Sequence, residues 1–448
     1  MNTYSSYKDS GIEWIGEIPS GWRIEKLKYI GNLYGGLTGK SGKDFNNEDN
    51  PYNKPFIPFT NIFNNVYISS NHFQYVNIKP DERQNRVIKN DLFFLMSSEG
   101  YEDLGKSSIL ISEIDELYLN SFCKGYRVNT DDVNPLFVNY QLLGNTHRKL
   151  ISIEGKGFTR INLRQDKLKN TYMFIPPLQE QQQIVDYLDK KTSKIDKLIE
   201  KTEQKIELLK EQRTSLINTT VTKGLDPNVE MKDSGVEWIG DIPSGWGVKP
   251  LKYVAEYNLS SLGNNTDPEY KLNYLEISDV DSLGNIKKPT KYTFSKSPSR
   301  CRRIVQKDDI IISTVRTYLK SIGFIKNEVK DLICSTGFCV ITPNKTIIIP
   351  SILFYMVRME SFISTVISSS VGVSYPSINS DKLVGVKILI PPLQEQQQIV
   401  DYLDLETSKI DKLVNIESKR INLLKEYRQS LISEVVTGKV DIRSEVLV

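Results

Sequence analysis

The sequence predicts an α+β protein: two mixed α/β domains separated by two long antiparallel helices in a coiled coil, the whole forming an internal repeat with pseudo-two-fold symmetry. Three observations carry that reading. Residues 8–22 (KDSGIEWIGEIPSGW) return at 232–246 (KDSGVEWIGDIPSGW), with thirteen of fifteen positions identical at an offset of 224. IPPLQEQQQIVDYLD at 175–189 returns unchanged at 390–404, at an offset of 215. The stretches between these blocks, about 24–170 and 248–385, have diverged, and the second is nine residues shorter. Self-similarity at a fixed period marks a duplicated unit. Constant frames around variable inserts point to one scaffold presenting two different surfaces.

The elements follow in order. Within the variable middles, short apolar runs at 91–96 and 309–313 are bounded by turn residues, as buried strands are. VIKNDLFFLMSSEG (87–100) aligns with VQKDDIIISTVRT (305–317), and GKGFTRINLRQDKL (155–168) with GVSYPSINSDKL (372–383). A helix follows Pro176-Pro177, because proline suits only a helix start and the Gln-rich stretch after it favours helix. An apolar stripe then runs through Ile184, Val185, Leu188, Ile195, Leu198, Ile199, Ile206, Leu208, Leu209, Leu216 and Ile217. Its spacings of three, four and seven are those of one helix face. Gly224 and Pro227 supply the stop. The second copy is apolar at every one of those positions plus 215, from Ile399 to Ile432. About 40 residues at 1.5 Å each give a rod of roughly 60 Å, whose apolar face must be buried on a similar partner. The expected divisions are a first domain at 1–175, a spacer helix at 176–223, a second domain at 224–390 and a second spacer helix at 391–440. Because the Trp-bearing block precedes both copies, the N-terminus is expected to dock where the second helix ends. Trp14, Trp22, Trp238 and Trp246, kept in both copies, read as packing anchors.

With 39% hydrophobic and 25% charged residues the chain is of ordinary globular composition. No apolar run approaches the roughly 20 residues of a membrane span, and the N-terminus lacks the pattern of a signal peptide; a cytoplasmic protein without a membrane partner is expected. A net charge of +3 permits nucleic-acid binding without arguing for it. Cys123, Cys301, Cys334 and Cys339 form no Cys-x-x-Cys pair, and the histidines are His72 and His147. Free thiols and no metal or other cofactor are the expectation.

The order of variable domain, PPLQEQQQIVDYLD helix (176–189), variable domain and PPLQEQQQIVDYLD helix (391–404) resembles the specificity subunits of type I restriction–modification systems over essentially the whole chain. Smaller features agree. Copy one carries a Gly35-Gly36-Leu37-Thr38 loop, in whose place copy two has EYNLSSLGNNTDPEY (256–270). Both copies have a basic–polar–Asp–apolar turn, Lys89-Asn90-Asp91-Leu92 and Lys307-Asp308-Asp309-Ile310. The resemblance implies that the two domains are target-recognition domains, each reading one half of a split site in double-stranded DNA. It implies also two adenine methyltransferase subunits docked on the helices, and restriction/translocase subunits joining them.

DNA contact calls for Lys, Arg, hydroxyl and aromatic groups on loops. In the first domain these are Arg83 and Arg86 in 81–89, Ser97, Ser98, Tyr101 and Lys106 in 97–106, and Lys156, Thr159, Arg160 and Arg164 in 155–164. In the second they are Arg300, Arg302 and Arg303 in 299–303, Thr314, Arg316, Tyr318 and Lys320 in 313–320, and Ser374 and Tyr375 in 371–377. Cys301-Arg302-Arg303 and Gly155-Lys156-Gly157 stand out as basic residues expected on turns. The Lys/Glu run over 190–213 reads as the solvated face of the rod.

Catalysis finds no home. The Pro-Pro pairs follow isoleucine and open helices, so neither is part of an Asn/Asp-Pro-Pro-Tyr/Phe motif. Glu230-Met231-Lys232 falls in a linker and Glu417-Ser418-Lys419 in the rod, not beside a strand-borne Asp as a nuclease needs. No Walker loop is present. A non-catalytic subunit is expected; the alternative is a coiled-coil scaffold carrying two protein-binding domains.

Overall fold

The computed structural model describes residues 2–13, 15–45 and 50–445; Trp14, one of the expected anchors, lies outside them. The chain is mixed α+β and divides into two compact units, Met1–Glu203 with Lys419–Val448, and Gln204–Ser418. Two long helices, Leu178–Lys223 of 46 residues and Leu393–Val436 of 44, contribute a segment to each unit.

Each unit is built on the same four-stranded antiparallel sheet. In the first unit its order is Gly31–Gly35, Cys123–Val128, Leu92–Leu95, Ser107–Ile109; in the second it is Ala255–Tyr257, Phe338–Pro343, Ile310–Ser313, Ile322–Phe324. The runs LFFL and IIIS are wholly buried, as their unbroken apolarity requires. The second sheets differ. The first unit has three strands, Tyr118–Leu119, Asn53–Ile57 and Gln74–Asn77. The second has four, Thr290–Thr293, Lys271–Leu275, Leu332–Ser335 and, at an edge, Cys301–Ile304. Arg302 and Arg303 are therefore on an edge strand, not on the turn expected of them.

The basic–polar–Asp–apolar turns are structural. Asn90 and Asp308 take left-handed backbone, with φ of 71° and 73°. The buried carboxylates that follow accept the backbone N–H three residues back, Ile88 to Asp91 at 2.9 Å and Gln306 to Asp309 at 2.8 Å. Asp91 also binds Arg127 and Tyr34, whereas among the described residues the further side-chain partner of Asp309 is the Thr342 hydroxyl, and burial raises its pKa.

The repeated motifs join domain to helix. Trp22 and Trp246 are each 1% exposed, and their indole N–H groups donate to Glu180 (3.1 Å) and Glu395 (2.9 Å) in the first turns of the long helices. The neighbouring Gln181 side chain accepts from Asn134 N–H and donates to the Asp132 and Pro176 carbonyls. Gln396 does the same with Ile349, Ile347 and Pro391. Identical residues make identical joints, which accounts for the unchanged PPLQEQ block. Of the other anchors, Trp238 is partly buried against the second core.

Within each unit the helix segments run antiparallel. In the first, Ile184, Val185 and Leu188 share a core with Leu431, Ile432 and Val435, and Asp196 pairs with Arg428 at 2.8 Å. In the second, Ile217 and Val221 share a core with Ile399, Val400 and Leu403, and Arg213 pairs with Asp411 at 2.9 Å. The two ion pairs are one interaction made twice, because Arg428 and Asp411 lie 215 residues after Arg213 and Asp196. The seam has heptad spacing: 188/192, 195/199, 202/206, 209/213 and 216/220, then the same positions plus 215, are all buried or half-buried. It is narrower than the expected stripe, since Leu198, Leu208, Leu413 and Leu423 are exposed. Thr192, Thr202 and Thr407 occupy it instead; the Thr202 and Thr407 hydroxyls donate to the carbonyl four residues back, so their burial leaves no donor unpaired. The N-terminus does reach the end of the second helix: Asn2 bridges Asp441, and the Tyr7 hydroxyl donates to the Gly438 carbonyl.

Candidate nucleic-acid interface

In the first unit a short hairpin closes between Lys156 and Asn162, with backbone hydrogen bonds of 3.1 and 2.9 Å. Its strand Ile161–Asn162 pairs with Ser97–Ser98. The tip, 157–160, stands clear of the fold, and Phe158 there is 106% exposed. Gly157 has φ +143° and a Cβ would fall 2.0 Å from the Arg160 carbonyl, so only glycine makes this turn. Arg160 folds sideways and lays its guanidinium over the exposed Phe122 ring at 5.5 Å. The turn that carries Phe122 continues the surface: Leu37 N–H donates to Leu119, and Gln84 bonds the backbone of Thr38 in both directions. Asn85 donates to Gly35. Hairpin, 119–122 turn, glycine loop and 81–89 loop thus form one connected cluster.

The second unit repeats the arrangement with other residues. A hairpin closes between Val371 and Ser377, and Val373, matching Phe158, is 102% exposed. The cation–π pair is reversed: the hairpin supplies Tyr375 and the neighbouring loop supplies Arg316, 4.5 Å apart. Arg316 and Lys320 hold left-handed backbone, φ 51° and 55°. Thr314 links this loop to the Gly337 carbonyl, and Thr336 N–H donates to Arg300. The loop without Gly-Gly-x-Thr keeps its place: Ser261 bridges Arg303, and Leu262 N–H donates to Arg302.

The expected contact residues divide four ways. Arg83, Tyr101, Lys156, Thr159 and Arg160 in the first unit, and Arg300, Arg316, Tyr318, Ser374 and Tyr375 in the second, are exposed. Arg86, Lys106, Arg164 and Lys320 are held by Glu116, Asp103, Asp166 and Glu360. Arg302 is half-buried beneath the Phe294 ring at 4.7 Å, and Arg303 reaches Ser261. Ser97, Ser98 and Thr314 are buried and brace the loops from inside, a correction to their expected exposure. Sequence reasoning missed Phe122, Phe158 and Val373. The available signal was an apolar residue between glycine and a hydroxyl residue in both hairpins, GFT and GVS.

Among the described residues no group of His, Cys, Asp and Glu could hold a metal ion, and all four cysteines are buried, Cys123 with its thiol pushed up to about 12 by desolvation. No single helix is long and apolar enough to cross a membrane.

Residues 19–208 and 243–426 match the type I restriction modification DNA specificity domain. The MjaVIII specificity subunit of Methanocaldococcus jannaschii is 24% identical over 82% of this chain and 83% of its own. The StySPI specificity subunit of Salmonella potsdam is 23% identical over 95% of this chain and 90% of its own. Among solved structures, a chain from a study of complex assembly and conformational transition of the type I R-M system superposes with a TM-score of 0.68 at 17% identity, covering 94% of this chain and 99% of that one. The HsdS subunit from Thermoanaerobacter tengcongensis gives 0.50 at 16%, covering 94% and 98%.

Proposed function

The chain belongs to the type I restriction modification DNA specificity family, and from that premise we propose that it reads a bipartite DNA site, one half through each loop cluster. One observation carries the division of labour. The same hairpin, central turn and flanking loop recur on the same sheet in both units, while the exposed residues on them differ throughout. Lys156, Thr159, Arg160, Tyr101 and Arg83 are then the contacts to one half-site, and Arg300, Arg316, Tyr318, Ser374 and Tyr375 to the other. The paired arginines and lysines serve as phosphate contacts once DNA competes for them.

The chain itself carries no chemistry in this reading. Two adenine methyltransferase subunits dock on the paired helices, restriction/translocase subunits complete the assembly, and the complex works in the cytoplasm. The exposed Leu198, Leu208, Leu413 and Leu423, left outside the seam, offer apolar footholds for such docking.

Methylation mapping of a host carrying the system tests this. The expected result is a split motif whose one half alone changes when residues 24–170 are exchanged for those of another specificity subunit. A change in both halves together would sink the two-reader proposal.

A further inference from the structure

We propose that the Phe158 ring enters the base stack of the first half-site as an apolar wedge, whereas Val373 leaves the stack of the second half-site closed. The inference rests on the DNA-reading function above and adds a deformation that only one of the two readers imposes.

The ring stands out from the fold. Nothing in the fold covers it, and the one cation at the tip, Arg160, stacks on Phe122 instead. The turn that carries the ring needs glycine at position 157, and strand Ile161–Asn162 ties the hairpin to Ser97–Ser98. A phenyl group left in water forgoes a burial that insertion between bases would restore. Lys156, exposed at the base of the hairpin, supplies a cation for a phosphate beside an opened step. Phenylalanine inserted between base steps is a known chemistry for unstacking and kinking a duplex. The second unit supplies the control: the same register and the same exposure, but a short β-branched side chain with no planar face to replace a lost base stack.

The test uses the full chain with its methyltransferase subunits on a duplex bearing its mapped motif. 2-Aminopurine is placed at successive positions in both halves, avoiding the target adenines, which flipping would unstack in any case. The expected result is a fluorescence rise at one step of the first half-site and none in the second. Phe158→Ala and Phe158→Val should abolish that rise and weaken binding about tenfold, while Phe158→Trp keeps both. The side chain touches nothing, so these variants should fold and assemble as the wild type does. Sequence-selective binding with no rise at any first-half position, or a rise unchanged in Phe158→Ala, overturns the wedge and leaves the reading function standing. So does loss of methyltransferase assembly by Phe158→Ala without DNA, which would make the tip a subunit contact. Failure of the wild-type complex to bind any mapped motif would overturn both.

Discussion

His147 shows how a single residue in the first unit ties stability to pH. Its Nε2 lies 2.8 Å from the Tyr172 carbonyl, which it serves as a donor, and Nδ1 has no partner among the described residues. Full burial lowers its pKa to about 4. Unfolded, it titrates near 6.5. Stability from the neutral ring is therefore complete above about 6.5 and is lost as pH falls towards 4, by roughly 3 kcal/mol in all. Thermal midpoints of the wild type should drop more steeply from pH 7 to 4 than those of His147→Gln; parallel curves would refute the assignment. The two buried turn aspartates behave differently from each other. Asp309 has its pKa raised by burial, so its contribution is greatest when protonated and is lost as pH rises past the ordinary aspartate value towards the raised one. Asp309→Asn should be at least as stable as the wild type at pH 7. Asp91→Asn, which withdraws a carboxylate from Arg127 and Tyr34, should cost about 1–3 kcal/mol. Equal midpoints for the two variants would contradict this contrast.

At the scale of elements, the helices were legible in the sequence and the loops were not, for a physical reason. A seam of heptad period leaves its trace in spacing alone, and the identical PPLQEQ blocks fix where each helix begins. Even so, hydrophobicity overstated the stripe, because it cannot separate Ile195 in the seam from Leu198 beside it. Alanine at Ile195 or Ile410 should cost about 2–5 kcal/mol through a lost side chain and a cavity. Serine at Leu198 or Leu413 should stay within about 0.5 kcal/mol, unless docked subunits cover these positions. Denaturation of the lone chain would reveal an error if the two classes scored alike. Loop chemistry depends on which way a strand turns its side chains. Ser97, Ser98 and Thr314 read as contacts by residue type and lie inside; Arg302 read as a turn residue and lies on an edge strand under Phe294. Phe158 carries neither charge nor hydrogen-bonding group, so a search by residue type for DNA contacts does not select it.

For the whole molecule, the close repeat of the seam makes each helix a possible partner for itself. In a fragment spanning residues 1–231, two copies of helix Leu178–Lys223 could pair antiparallel. Asp196 would then meet Arg213 of the other copy, since Arg213 stands where Arg428 does, and Glu203 would meet Lys210 in place of Lys425. Of the seam positions from Leu188 to Thr220, all but two keep their kind in the second helix; Thr202 answers to Glu417 and Thr220 to Val435. One interaction has no substitute: Lys205 pairs with Glu417 at 2.5 Å, and the residue matching Glu417 is Thr202. Lys190 and Lys201 also replace Leu405 and Ile416 beside the seam, adding charge. The fragment should thus dimerise more weakly than the natural helices pair, and measurably so by sedimentation. A two-fold dimer presents the same reader twice in opposite senses, so with its methyltransferase it should modify an inverted repeat of the first half-site. A fragment that stays monomeric at every concentration would count against pairing through the heptad seam, and a dimer that modified a direct repeat would exclude the antiparallel arrangement.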